Sequence, residues 1–474
     1  MKIAYLHYHL KAGGVTTVIR HQIQAQPSAT ASVVLSGEAP PDPFPAPVVT
    51  VPGIGYDGTP GTEQSAPKIA SNIDHAIGRH FGGAGKCDLI HIHNPTLAKN
   101  SRFLDIIRHL QSMGYPLLLQ IHDFAEDGRP AVYYREAAYP ADCHYSVINR
   151  RDYHILLESG LDPDGLHFLP NGIPPVEHRP PVTGGDDFIL FPVRAIRRKN
   201  IGEALLLSLF LPPACQTYIT LPPNSPADFP SYRHWQRLAT QRCLPVRFEM
   251  GLKKDFRTLL QQARHVISTS ISEGFGFAFL EPWMADKNLE GRIIPDICRD
   301  FTAAGIVLDH LYPQLKIPMD WIGRDLVMKR FQDCYTKNNL LYGVASQMHS
   351  AQAFTAPLQR ADTLDFGLLD EPLQTMLIEA VQTQPAKLEL LPELNPALLR
   401  MGRKPTSRRQ IAHNRKNILN RYGLPAYGQR LRAIYRSVVS RSVHHQIDKQ
   451  RLLMKFFNFN NFSLLKWNTY SDKL

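Results

Sequence analysis

Short apolar runs, β-branched or leucine-rich, alternate with longer amphipathic stretches through the first 170 residues, and a second such series starts at Phe188. That alternation restricts each half to a parallel sheet whose strands are joined by helical crossovers. In the first series, strands are expected at Ile3–His7, Val33–Leu35, Leu89–His93, Leu117–Ile121, Tyr145–Ile148 and His167–Leu169. Helical periodicity falls between them, at Thr16–Gln26, Lys68–Phe81, Asn100–Met113 and Arg151–Ser159. The second series places strands at Phe188–Val193, Thr217–Leu221, Val246–Phe248, His265–Thr269 and Ile306–Leu308. A chain of 474 residues is also too long for one ordinary hydrophobic core, so two α/β domains are expected.

Three stretches interrupt the pattern. The Pro/Gly-rich segment from Ala39 to Gly61 can be neither helix nor central strand and is expected to be a long surface loop. Leu169-Pro170-Asn171-Gly172-Ile173-Pro174-Pro175, followed by the polar Glu177–Asp187, looks like an interdomain linker. The region from about Leu311 to Leu399 is mostly helical by pattern and offers no chemical motif. The expected domains are therefore 1–172, 173–420 and a helical C-terminal extension, 421–474.

Composition excludes several classes. With 43% apolar and 20% charged residues the chain is an ordinary globular one, not a disordered one. The longest apolar stretch, Ala204 to Pro212, is far short of the roughly 18 residues a membrane span needs. Met1-Lys2-Ile3-Ala4-Tyr5-Leu6 soon meets His7, His9 and Lys11, so it reads as a first strand, not a secretory signal. Six scattered cysteines without a C-x-x-C pair argue against a zinc site or a disulfide framework, and a cytoplasmic location is expected. The net charge of +11 is concentrated at one end. From Arg400 onward there are 17 Lys/Arg against Asp448 and Asp472, a balance of +15, which leaves −4 for the first 399 residues. Such a tail is either a solvated helical face or a peripheral contact with an anionic membrane surface, to which Phe456-Phe457-Asn-Phe459-Asn-Asn-Phe462 could add apolar anchors. No finger, OB or RRM signature accompanies it, so nucleic acid is not an expected partner.

The richest chemistry lies in Val266-Ile-Ser-Thr-Ser-Ile-Ser-Glu273-Gly274-Phe275-Gly276-Phe277-Ala-Phe-Leu280-Glu281-Pro282. A buried strand feeds a glycine turn that opens a helix, so backbone N–H groups near Gly276 and Phe277 are available to a phosphate. The flanking carboxylates suit the two ends of a nucleotide sugar, Glu273 towards hexose hydroxyls and Glu281 towards ribose hydroxyls. Pro282 agrees with an early helical position, where a missing N–H costs nothing. A second element, Pro192-Val193-Arg194-Ala-Ile-Arg197-Arg198-Lys199-Asn200, comes at the end of the first strand of its domain. Ligands bind at such strand ends, and a guanidinium with an ammonium suits a diphosphate whose charge grows as the sugar leaves. Arg197 and Arg198 are expected on the surface.

In the first series, Lys11-Ala12-Gly13-Gly14-Val15-Thr16 lies between strand and helix, where glycines let a phosphate approach the backbone. It lacks G-x-G-x-x-G, so no nicotinamide or flavin site is read. His122-Asp123-Phe124 comes after another strand. His91 and His93 alternate on a strand and share a face; a metal there would need a third ligand, and packing is the favoured reading.

The Glu273-x7-Glu281 string resembles the signature of glycosyltransferase family 4 and related GT-B enzymes. The resemblance implies two Rossmann-like domains facing a cleft, the first serving the acceptor and the second the donor. Glu273 and Glu281 would be donor-site residues, with the Gly274-Phe275-Gly276-Phe277 turn on the diphosphate. Arg194 and Lys199 are similar to the family's diphosphate-binding pair, with Val193 where Gly is usual. Gly13 and Gly14 resemble its Gly-Gly loop, and His122 matches the histidine that bonds the donor hexose. The sequence departs from the family after Glu281, at Pro282-Trp283 and in Asp286–Ile294. The resemblance further implies retaining hexose transfer from a nucleotide sugar such as UDP-glucose or GDP-mannose, with no metal and no other cofactor. Catalytic roles are expected for His122, Arg194, Lys199 and Glu273. The hydroxyl acceptor stays open: a small polar molecule such as a glyceric acid glycoside, a polysaccharide or a lipid. A GT-B phosphorylase, a sugar-nucleotide epimerase and a non-catalytic sugar- or nucleotide-binding module are the competing readings.

Overall fold

A computed structural model describes residues 1–82, 86–176, 187–345, 349–403 and 407–471. Residues 177–186, which carry most of the expected linker, lie outside it. The described chain divides into two compact units, Met1–Pro174 with Leu419–Phe457, and Pro175–Ile418 with Asn458–Leu474. The stretch 421–474, expected as one extension, is thus shared between the units.

The first unit is a parallel sheet in the order β3-β2-β1-β4-β5-β6-β7. Its strands are β1 (Lys2–His7), β2 (Ala31–Ser36), β3 (Val48–Thr50), β4 (Leu89–His93), β5 (Leu117–Ile121), β6 (His144–Val147) and β7 (Leu166–Phe168). The crossovers include α1 (Gly14–Gln24), α2 (Ala66–Phe81), α3 (Phe103–Ser112) and α4 (Arg150–Glu158). β4 and β5 are buried at every position, which is why they read as continuous apolar runs rather than as alternation. The Ala39–Gly61 segment, expected to be wholly loop, carries the edge strand β3. Its three residues sit among prolines, too short to signal themselves. The helix Leu424–Ser440 belongs to this unit: Tyr427, Leu431 and Tyr435 are fully buried in the core that contains Ile3, Tyr5 and Leu118.

The second unit has a five-stranded parallel sheet, β10-β9-β8-β11-β12. Its strands are β8 (Phe188–Arg194), β9 (Gln216–Leu221), β10 (Val246–Arg247), β11 (His265–Ser268) and β12 (Leu289–Gly291), with α5 (Ile201–Ser208) after β8. Here the structure corrects the expected strand Ile306–Leu308. Ile306 and Leu308 are buried, but in a connection, and β12 takes the fifth place. β12 escapes sequence reading because its centre is Glu290, buried and satisfied by the Gly402 N–H at 2.8 Å. The expected helical region holds Arg324–Tyr342, Glu371–Thr383 and Pro385–Leu394, plus an antiparallel pair, β13 (Lys316–Pro318) with β14 (Thr363–Asp365).

The aromatic run near the C-terminus packs inside the protein. Phe456 is buried against Phe124, ring centroids 5.2 Å apart, and Phe462 stacks on Trp467 at 4.6 Å and meets Phe354 at 4.9 Å. Phe456, Phe457 and Phe462 are thus core side chains, while Phe459 is half-buried. Among the described residues no helix is long and apolar enough to cross a membrane, and all six cysteines are free.

Candidate donor and acceptor sites

In the second unit the strand order reverses between β8 and β11, and a crevice at the carboxyl ends of such strands is where open α/β sheets bind ligands. Arg194 is the last residue of β8, and its Nη1 donates to the Pro222 carbonyl at 3.3 Å. Lys199 ends the 3-10 turn Arg197–Lys199, and Glu273 comes after β11. The ammonium and the carboxylate are in contact: Lys199 Nζ lies 2.5 Å from Glu273 Oε1, with side chains only 15% and 9% exposed. Burial pushes the Glu273 carboxyl up, but Lys199 and Arg198 outweigh it and hold it below the usual carboxylate range. The two segments are also joined through the backbone. Thr269 Oγ1 donates to the carbonyls of Lys199 and Asn200 at 2.9 and 3.1 Å, and the Ile271 N–H donates to the Arg198 carbonyl at 3.0 Å.

Behind this turn stands a buried ionic network that the sequence did not disclose. Asn200, left-handed at φ 53°, donates from Nδ2 to Glu203 Oε2 at 2.7 Å. Glu203 is fully buried and takes a bond from Arg292 Nη2 at 2.5 Å and one from the Tyr312 hydroxyl at 2.8 Å. Arg292 also grips Asp365, through Nη1 and Nη2, each at 2.7 Å. The one signal for it was Glu203 itself, a carboxylate inside the apolar run Ile201–Leu209 that must have a cation nearby. Arg197 is a further correction. Instead of lying on the surface, it forms a two-pronged pair with the buried Glu371, at 2.6 and 2.7 Å, and reaches the Asn468 carbonyl.

The glycine turn departs from expectation in one respect. Gly276 is left-handed at φ 89°, and a Cβ there would come within 2.7 Å of Phe279, so glycine is required. The chain then makes a 3-10 turn, Phe277–Phe279, and a four-residue helix, Glu281–Met284, rather than a long helix. A phosphate at this turn would rely on individual N–H groups of Gly274 to Phe277, because so short a helix supplies little dipole. Phe275 is buried and meets the Phe277 ring at 5.1 Å, while Glu281 is exposed at the helix start, with Pro282 in the first turn as expected.

In the first unit, Gly13, Asn94 and His122 come after the neighbouring strands β1, β4 and β5. Gly13 is extended and precedes α1. A Cβ on Gly14 would meet nothing within 4 Å, so the packing does not demand glycine there and space lies open over the helix start. Asn94, at φ 52°, turns its side chain back so that Oδ1 accepts from the His122 N–H at 2.7 Å. His122 is 6% exposed and stacks on His93 with centroids 5.2 Å apart. His93 Nδ1 and His122 Nε2 lie 2.9 Å apart, so one donates to the other. His91 also stacks on His93, with centroids 4.4 Å apart, and lies 2.9 Å from the Tyr435 hydroxyl. Burial keeps these rings neutral, with His91 down at about 3 and His122 at about 4. Among the described residues no group of three or more His, Cys, Asp or Glu is arranged to hold a metal ion.

No protein-family profile matches the chain. A curated protein, mannosylglucosyl-3-phosphoglycerate synthase of Petrotoga mobilis, is 22% identical, across 97% of this chain and 98% of its own length. Among solved structures, Anabaena HepE in complex with UDP and glucose aligns with a TM-score of 0.53 at 12% identity, covering 92% of this chain and 100% of that one. A glycosyltransferase from Rickettsia africae aligns with a TM-score of 0.50 at 11% identity, covering 93% and 99%. The fold is thus that of the GT-B glycosyltransferases, with two Rossmann-like domains.

Proposed function

We propose that the chain is a hexosyltransferase of the GT-B type, taking its sugar from a nucleoside diphosphate donor and passing it to a hydroxyl acceptor. The observation that carries this reading is the contact of Lys199 with Glu273 in the turns that follow β8 and β11, with Arg194 closing β8 and the Gly276 turn next in the chain. Arg194 and Lys199 neutralise the departing diphosphate, a task done elsewhere by a divalent ion, so we propose that no metal is needed. Glu273 stays ionised and accepts hydrogen bonds from sugar hydroxyls; Glu281 takes those of the ribose. His122, neutral at physiological pH, exchanges a hydrogen bond with a hexose hydroxyl without adding charge. The first unit serves the acceptor.

We propose retention at the anomeric carbon. Glu273 is engaged by Lys199, which makes it a poor nucleophile, so same-face attack with a leaving phosphate oxygen taking the acceptor proton is the step that fits. For the acceptor we favour an acidic hydroxy compound or its glycoside, as in the phosphoglycerate named in the Petrotoga relative's product. Thermal shift with UDP, GDP and their sugars, repeated in excess EDTA, tests the donor and metal readings. Stabilisation by one nucleotide family that survives EDTA is expected; no response to any nucleotide sinks the reading.

A further inference from the structure

The Ala39–Gly61 segment carries more structure than a surface loop needs. Asn100 Nδ2 donates to the carbonyls of Gly53 and Gly55 at 2.8 and 2.7 Å, and the Asp57 N–H donates to the Lys99 carbonyl at 2.8 Å. The Asp57 carboxylate accepts from the Ser101 N–H at 3.0 Å. A Cβ on Gly37 would collide with the Gly55 backbone at 2.3 Å, so the loop rests directly on the chain that leaves β2. These anchors hold Tyr56 in one place, its hydroxyl 3.1 Å from His9 Nε2 and its ring 5.4 Å from Lys99 Nζ.

Lys99 is the unusual member. It is half-buried and, among the described residues, has no ion-pair partner. Burial and the nearby Arg129 guanidinium hold its ammonium below the ordinary lysine range, and Asp123, which Arg129 contacts at 3.2 Å, only partly offsets them. A half-buried ammonium beside a second cation is unfavourable unless an anion joins it. His9, Lys99 and Asp123 come after β1, β4 and β5, adjacent strands of the first sheet, so the cluster stands at the same carboxyl end of the sheet as Gly13 and His122.

We propose that Lys99 and Arg129, with Tyr56 and His9 beside them, seat the acidic group of the acceptor, a carboxylate or a phosphate. The proposal rests on the first unit being the acceptor side of a transferase. Lys99 supplies a point charge, Arg129 a planar fork, and Tyr56 an apolar ledge for the carbon skeleton. Asp123 sets the limit on charge: with it in place the seat suits one anionic group and not a polyanion.

The test is calorimetric binding of 3-phosphoglycerate, glycerol 3-phosphate, glycerate and glycerol to the full chain and to its Lys99→Gln, Lys99→Arg and Arg129→Gln forms. UDP and GDP binding is measured on the same samples. Wild type is expected to bind one or more of the three anions but not glycerol. Lys99→Gln and Arg129→Gln should each weaken that binding by about tenfold or more, as for a lost charge-assisted bond, and Lys99→Arg should retain most of it. Nucleotide binding should be unchanged in all three variants, which also reports that they are folded. The glycerate and glycerol 3-phosphate arms separate a carboxylate seat from a phosphate seat. Binding of none of the anions, undiminished binding by both glutamine variants, or loss of nucleotide binding in their place overturns the assignment. If the anions bind but no nucleotide does, the transferase reading fails while the seat stands.

Discussion

Lys199 Nζ and Glu273 Oε1 meet at 2.5 Å, joining two segments 74 residues apart in sequence at the ends of adjacent strands. The contact couples the group proposed for the leaving diphosphate to the group proposed for the sugar. It also defines the charge state. Glu273 is held below the usual carboxylate range, so its contribution to stability is complete above the ordinary carboxylate pKa. That contribution is lost as pH falls through the lower folded value.

Removing one partner takes the nearest counter-charge from a largely buried group. Lys199→Ala or Glu273→Ala is expected to cost about 3–5 kcal/mol in urea unfolding, while a paired Lys199→Met/Glu273→Leu change recovers most of it. Turnover should fall about a hundredfold or more in all three, the double form included. A stable double variant with normal activity would remove the pair from the mechanism.

The Arg292 network supports the Lys199 turn from behind. Arg292→Met leaves Glu203 and Asp365 without their shared cation. Urea denaturation is expected to show a loss of about 3–5 kcal/mol. Glu203 also holds Asn200, next to Lys199, so Glu203→Gln is expected to raise KM for the nucleotide sugar more than the KM for acceptor.

The histidine cluster makes stability depend on pH. Burial lowers His7, whose ring lies 6.2 Å from that of His93, and His91 to about 3 and His122 to about 4, against an ordinary histidine value of 6.5. Above pH 6.5 both folded and unfolded forms are neutral and stability is at its plateau. Below it the unfolded chain takes up protons first, so stability falls by about 1.4 kcal/mol per pH unit for each histidine. Melting curves between about pH 7.5 and 5 should show a steep decline, reduced in a His91→Gln variant.

The C-terminal aromatics are expected to act on the fold and not on membranes. Phe462→Ala, which empties a fully buried site, should cost about 3–5 kcal/mol. Sedimentation with anionic vesicles should be unaffected by it. Vesicle binding that requires Phe462 would reverse this assignment.

Much of this architecture was legible because buried parallel strands announce themselves. Leu89–His93 and Leu117–Ile121 are apolar or buried throughout, and their limits read directly. Of the candidate site, only the placement was legible: Arg194 at the end of β8, and Lys199 and Glu273 in the turns after β8 and β11. What stayed hidden depended on partners far along the chain. Arg197 looks solvated until Glu371 is placed beside it, and Lys99 looks like any surface lysine until the proline-rich loop brings Tyr56 under it. β12 was invisible because a three-residue strand centred on a glutamate has no period to read.

The most direct test is mass-spectrometric detection of nucleoside diphosphate released from UDP-glucose and GDP-mannose, with a 3-phosphoglycerate glycoside as acceptor and EDTA in excess. Release of one nucleoside diphosphate, with a matching hexose gain on the acceptor and near-complete loss in Lys199→Ala, is the expected result. No release from either donor by the folded wild-type chain, or equal release by Lys199→Ala, would contradict the proposed transfer.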